Sequence, residues 1–221
     1  MVRGRLRKLA LFFVSIIMLT ACSKEEAFNM VHAIETTVQT ENQMHSNLNQ
    51  LAALEEEDMV LYEAILDQGR EENKELAVLL DQAQIHVKER DELLHASKSI
   101  MDAAEIQSER WEEELSVFRN SKVSEGISLQ AEELWADYQE RQRMFDQLYY
   151  QYELALQIET ELYALLEEKG SFLSITELKA KVAERNLVFA EVNEIKNEFN
   201  EATKAFNDKH EAVVAEIKAM L

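Results

Sequence analysis

Few side chains in this sequence are of a type that does covalent or coordination chemistry, and their spacing restricts them further. Cys22 is the single cysteine. A lone thiol has no partner for an intrachain disulfide, so its chemistry must be a modification. The five histidines, His32, His45, His86, His95 and His210, never fall four residues apart, so no helix face offers a paired-histidine metal site. Glu92-x-x-His95 matches half of a di-iron bundle motif. That site needs a second such motif and two further inward glutamates, and no other histidine follows a glutamate at this spacing. The acidic runs Glu55–Asp58 and Glu112–Glu114 attract divalent cations, yet successive helical residues point in different directions and neither run resembles an ion-wrapping loop. The expectation is a protein with no metal, no cofactor and no catalytic residues, hence not an enzyme.

Two further sets of residues could bind rather than react. Trp135, Tyr138, Phe145, Tyr149, Tyr150 and Tyr152 cluster within one predicted helix. Tyr138, Phe145 and Tyr152 fall on its apolar seam and are expected in the core. Trp135 and Tyr149 lie beside the seam and are the candidate contacts to a glycan or a partner protein, since an aromatic face stacks on a sugar ring. Arg90, Arg141 and Arg185 occupy core-facing positions, one on each long helix. They are expected to pair across the bundle with glutamates such as Glu159, or to snorkel outward; buried pairs of this kind fix register at a cost in stability.

The elements that position these groups follow from breakers and periodicity. Proline is absent, and beyond the N-terminal segment only Gly69, Gly126 and Gly170 remain. Strands need turns, and turns use Gly, Pro, Asn and Asp, so the chain reads as long helices bounded near its glycines. From Leu76 to Phe118 the steps alternate four and three through thirteen positions, and ten of them are apolar. That is a coiled-coil type seam. Similar seams run from Leu134 to Leu166 and from Ile175 to Ile217, and Ser174-Ile175-Thr176-Glu177 fits a capping box. The helices are placed at about 24–54, 58–68, 71–119, 127–168 and 174–220, with a break at the acidic run Glu55–Asp58. The expected fold is all-α: an elongated antiparallel bundle or coiled-coil rod of three long helices plus N-terminal helices, forming one domain over residues 22–221. No fixed repeat period is visible.

The N-terminus explains Cys22. Arg3, Arg5, Arg7 and Lys8 precede an apolar stretch, Leu9–Leu19, too short for the roughly 20 residues of a spanning helix. Leu19-Thr20-Ala21-Cys22 then resembles the bacterial lipobox. The resemblance implies removal of residues 1–21 as a signal peptide and S-diacylglycerol attachment to Cys22, with the new terminus open to N-acylation. Two acyl chains hold a protein to a bilayer where one does not. Residues 1–21 hold four basic and no acidic side chains, so the remainder carries 19 basic against 43 acidic residues, a formal charge of −24. Such a body is repelled by nucleic acid and by anionic membrane surfaces.

Leu61-Tyr62-Glu63-Ala64-Ile65-Leu66-Asp67-Gln68-Gly69, Val87-Lys88-Glu89-Arg90-Asp91-Glu92-Leu93-Leu94, Ser97-Lys98-Ser99, Leu148-Tyr149 and Ala155-Leu156, taken with the lipobox, resemble the cell-wall-binding lipoproteins of Bacillus-like Gram-positive bacteria. The resemblance spans the chain after Cys22. It implies a place on the outer face of the cytoplasmic membrane, and it carries over no catalytic residue. The expected function is a non-catalytic, membrane-anchored lipoprotein that binds or spaces envelope components such as peptidoglycan or envelope proteins. The alternative is an interaction scaffold or assembly factor acting through helix-helix contacts. At −24, anionic teichoic polymers repel the body unless divalent cations bridge them, so neutral glycan or protein is the easier partner.

Overall fold

The computed structural model describes residues 24–68, 74–121, 124–169 and 172–221. Cys22, its lipobox, Gly69 and Gly170 lie outside these residues. Five helices account for the described chain: α1 over 24–42, α2 His45–Gln68, α3 Lys74–Arg119, α4 Glu125–Lys169 and α5 Ile175–Lys218. No strand occurs among the described residues. The all-α class expected from the breaker-poor sequence is therefore the class observed.

The seams explain why these helices fold. All thirteen positions from Leu76 to Phe118 on α3 are buried, including polar Arg90, Ser97 and Ser108. The two serines satisfy their hydroxyls locally: Ser97 Oγ donates to the Leu93 carbonyl at 2.8 Å and Ser108 Oγ to that of Glu105 at 2.7 Å. On α4 the seam from Leu134 to Leu166 is likewise buried. On α5 the seam is buried at Val192, Phe199, Phe206, Val213 and Ile217, while Ile175 is exposed. The capping box forms at the start of α5: Glu177 N–H donates to Ser174 Oγ at 3.1 Å, and Ser174 N–H donates to Glu177 Oε2 at 3.2 Å.

Two boundaries differ from the sequence reading. The first break falls at Gln43–Met44, where Met44 N–H closes a tight turn on the Glu41 carbonyl at 2.9 Å, and not at the acidic run. Glutamate is a good helix former, and two residues of that run are held by cations from other helices, Glu55 by Lys196 and Asp58 by Arg90. The run therefore continues through α2. Gly126 sits inside the first turn of α4, and Ser124 caps the helix there, accepting from Ile127 N–H at 3.4 Å.

The helices cluster into two compact units. Unit 1 holds α1 as far as Thr40 with residues 103–139 and 204–221, and unit 2 holds Glu41 and the rest of the N-terminal pair with residues 74–102, 140–169 and 175–203. Each unit thus has four helical segments, one from the N-terminal pair and three from the long helices. In unit 2 the neighbours are antiparallel: from Gln84–Glu167 to Tyr149–His95 and Lys98–Asp146, partner numbers fall as α3 advances.

Candidate functional site

Unit 2 carries the charged and tyrosine-rich chemistry of the chain. Its centre is a buried ionic network. Asp58 on α2 meets Arg90 on α3, and Arg90 meets Glu159 on α4. Glu159 Oε1 also accepts from Arg185 of α5, at 3.0 Å from Nε and 2.6 Å from Nη2, and from the Tyr163 hydroxyl at 3.4 Å. His86 Nδ1 lies 2.8 Å from Asp58 Oδ1. The Arg185 guanidinium rests 3.9 Å above the Tyr62 ring and 4.2 Å above that of Phe189. Four helices thus converge on two carboxylates and two guanidiniums.

Burial dominates the electrostatics. It lifts the Asp58 carboxyl above the usual carboxylate range, with Arg90 pulling the other way. The same burial opposes the charge on Arg90, yet Glu159, Tyr152 and Asp58 outweigh it and hold the guanidinium still more firmly protonated. Burial also pushes Tyr62, Tyr152 and Tyr163 upward, so all three remain hydrogen-bond donors at neutral pH. A second buried pair joins Arg141 to Glu41. Burial lowers the Arg141 pKa to about 10, which leaves it charged at neutral pH.

These findings place the predicted arginines. Arg90 and Arg185 share Glu159, as the seam positions suggested, whereas Arg141 pairs with Glu41. Sequence reading missed Asp58 and His86. The signal for Asp58 was present in the seven-residue spacing Leu51–Asp58–Ile65, all three buried on α2, but its place in an acidic run disguised it as surface. Each charge in the network is answered by another, which is how a buried ionic group is tolerated, while Arg90 Nε is buried without a hydrogen-bond partner.

The predicted contact residues Trp135 and Tyr149 belong to different units. Trp135 is half-buried against the unit 1 core, 5.1 Å from Trp111 edge-on and 5.5 Å from Tyr138 in a stack. Tyr149 is half-buried at the surface of unit 2. Its hydroxyl donates to Glu153 Oε1 at 3.0 Å, His95 Nδ1 lies 3.2 Å from it, and its ring meets Tyr150 edge-on at 5.4 Å. Burial and the Glu153 carboxylate push the Tyr149 pKa up to about 12, so the proton stays on the phenol.

Beside Tyr149 a groove of about 870 Å³ runs between α3 and α4. Gln84, Lys88 and Asp91 form one wall, and Tyr150, Gln157 and Glu167 the other. No group of three or more histidine, cysteine, aspartate or glutamate side chains suited to a metal occurs among the described residues. No described helix is long and apolar enough to cross a membrane.

Comparison with known proteins gives this arrangement its context. An uncharacterized lipoprotein of Bacillus subtilis (strain 168), YkyA, is 22% identical over 186 residues, covering 84% of this chain and 81% of its own. No solved structure matches. The family described as "Putative cell-wall binding lipoprotein" matches residues 25–216, which take in nearly all of the five helices, and the chain belongs to that family.

Proposed function

We propose that this protein is a non-catalytic lipoprotein, anchored by lipid on Cys22 to the outer face of the cytoplasmic membrane, whose helical body binds the cell wall. The observation that carries this reading is the family match, which starts at residue 25, directly after a lone cysteine preceded by Leu19-Thr20-Ala21. Lipid on Cys22 supplies the attachment that the described helices, none of them membrane-spanning, do not. The acidic body selects its partner: anionic polymers are repelled, and neutral glycan is not.

A two-part experiment tests this reading. Cys22→Ser should shift the protein from the membrane fraction to the medium. The body should be retained on purified peptidoglycan both with and without Mg²⁺. Retention only with Mg²⁺ would assign the contact to cation-bridged anionic polymer, and no retention in either condition removes wall binding.

Val78 and Ile85 favour a second reading. They are each 55% exposed and one heptad apart on α3, a spacing that suits a partner helix. A single stoichiometric protein captured by crosslinking in cells would support the scaffold role.

A further inference from the structure

The groove of unit 2 is built by two periodic stripes. On α3 the wall residues Ala77, Asp81, Gln84, Lys88 and Asp91 follow steps of three and four, and on α4 Tyr150, Leu154, Gln157, Thr160, Ala164 and Glu167 do the same. Each stripe flanks a buried seam, so Val87 and Leu156 form the floor. Small side chains at Ala77, Thr160 and Ala164 keep the trough open. A second hollow of about 480 Å³, lined by Lys74, Ala77, Asp81 and Leu166, shares Glu167 with the first and lies toward the start of α3, beyond the Gln84–Glu167 hydrogen bond. From Tyr150 to Glu167 the trough follows seventeen residues of α4, about 26 Å. A long open trough suits an extended polymer better than a small ligand, which pockets usually enclose.

The lining narrows the polymer. Tyr150 is 64% exposed, and Tyr149 braces it edge-on. An exposed, braced aromatic ring is a contact surface for the apolar face of another ring. The polar groups are held in place before any ligand arrives: Gln84 Nε2 donates across the trough to Glu167 Oε2 at 3.0 Å, Tyr149 fixes Glu153, and Gln157 Nε2 donates to Glu161 Oε1 at 3.3 Å. Carboxylates accept from hydroxyls, while carboxamides both donate and accept and so match an acetamido group. Along the two hollows Lys74 and Lys88 stand against Asp81, Asp91, Glu153 and Glu167, a net negative balance that disfavours phosphate-bearing polymers.

We propose that the α3–α4 groove of unit 2 is the glycan subsite of this protein, holding a run of uncharged N-acetyl sugars with Tyr150 stacked on one ring. The assignment rests on the wall-binding reading. Its test uses the full chain in detergent, with two probes: peptidoglycan stripped of teichoic polymers, and a soluble N-acetylglucosamine oligosaccharide. Tyr150→Ala removes an exposed ring and should weaken binding of both probes about tenfold, the effect of losing about 1.4 kcal/mol. Tyr150→Phe keeps the ring and should bind like the parent. Gln157→Ala should weaken binding as well, whereas Leu129→Ala, an exposed change in unit 1, should not. Unchanged far-UV circular dichroism shows that these variants are folded. A parent that binds peptidoglycan with Tyr150→Ala equally tight overturns the subsite and leaves wall binding standing. A parent that binds neither probe overturns both. Binding only to walls that retain teichoic polymer overturns the subsite.

Discussion

At the centre of unit 1 stand rings: Trp111 lies 5.0 Å from Tyr138 and 6.4 Å from Phe206, with Trp135 against the first two. The corresponding place in unit 2 holds charges, Asp58, Arg90, Glu159 and Arg185. Both units are built from four helical segments with similar seams, so the contrast isolates what core chemistry contributes. An aromatic core gains from burying large areas and from offset ring contacts. An ionic core gains little net energy, because removing charges from water costs about what their attraction returns. What it adds is selectivity: in a bundle of heptad seams, a slip of one repeat leaves every apolar contact plausible but strands these charges. Unit 2 accordingly adds register-setting charges to an apolar core of its own, whereas the centre of unit 1 is aromatic.

That division can be broken by substitution. The largest effect is expected for Arg90→Ala, which leaves Asp58 and Glu159 facing each other without their shared cation. Breaking a buried pair costs about 3–5 kcal/mol, to be read by chemical denaturation. Replacing Arg90, Asp58, Glu159 and Arg185 together with Met, Leu, Met and Met, so that no member of the network is left unpaired, should restore most of the loss; a quadruple variant as unstable as the single one would show that the cost lies elsewhere than in unpaired charge. Trp111→Ala in unit 1 should cost about 3–4 kcal/mol through the cavity alone, and Trp111→Phe clearly less. If Trp111→Ala proves much the more damaging of the two, packing outweighs charge in both units.

The smallest effect concerns pH. Asp58 titrates above its unfolded range, so the folded chain holds that proton more tightly than the unfolded chain. Its contribution to stability is therefore present below the unfolded pKa and lost as pH rises through the folded one. Glu161 and Glu177, whose pKa values are lowered by Lys181 and by Ser174, act in the opposite sense: their stabilisation is lost as pH falls through their folded values. Asp58→Asn should remove the first contribution only, so the variant should lose stability on mild acidification more steeply than the parent. Parallel curves from denaturant titrations at several pH values would show that Asp58 holds its proton no more tightly in the folded chain than in the unfolded one.

The sequence made the fold readable because local and global signals agree in it. The thirteen-position seam of α3 is buried throughout, and the capping box before α5 forms as its residues dictate. The misread positions share one cause. Gln43–Met44 closes a turn with no glycine or proline to announce it, while Glu55–Asp58 resembles a breaker until Lys196 and Arg90 arrive from other helices. Long-range partners decide such positions, and one-dimensional periodicity does not contain them. The groove is hidden for the same reason. Gln84 and Glu167 are unremarkable surface residues until antiparallel register brings them within 3.0 Å. Tyr149 is conspicuous in the sequence as an aromatic beside a seam, whereas its neighbour Tyr150 is distinguished only by its place between α3 and α4.

Both tryptophans of the chain, Trp111 and Trp135, stand in unit 1, while the tyrosines Tyr62, Tyr149, Tyr150, Tyr152 and Tyr163 belong to unit 2. Nature has thereby given the two halves different optical labels. Indole emission reports melting of the aromatic half alone, whereas far-UV circular dichroism weighs every helix. Because α3, α4 and α5 run through both halves without a break, the two signals also measure how firmly a continuous backbone couples them. Coincident transitions mean that the long helices join two chemically different cores into one cooperative molecule. Separated transitions mean that a single helix can be ordered at one end and molten at the other.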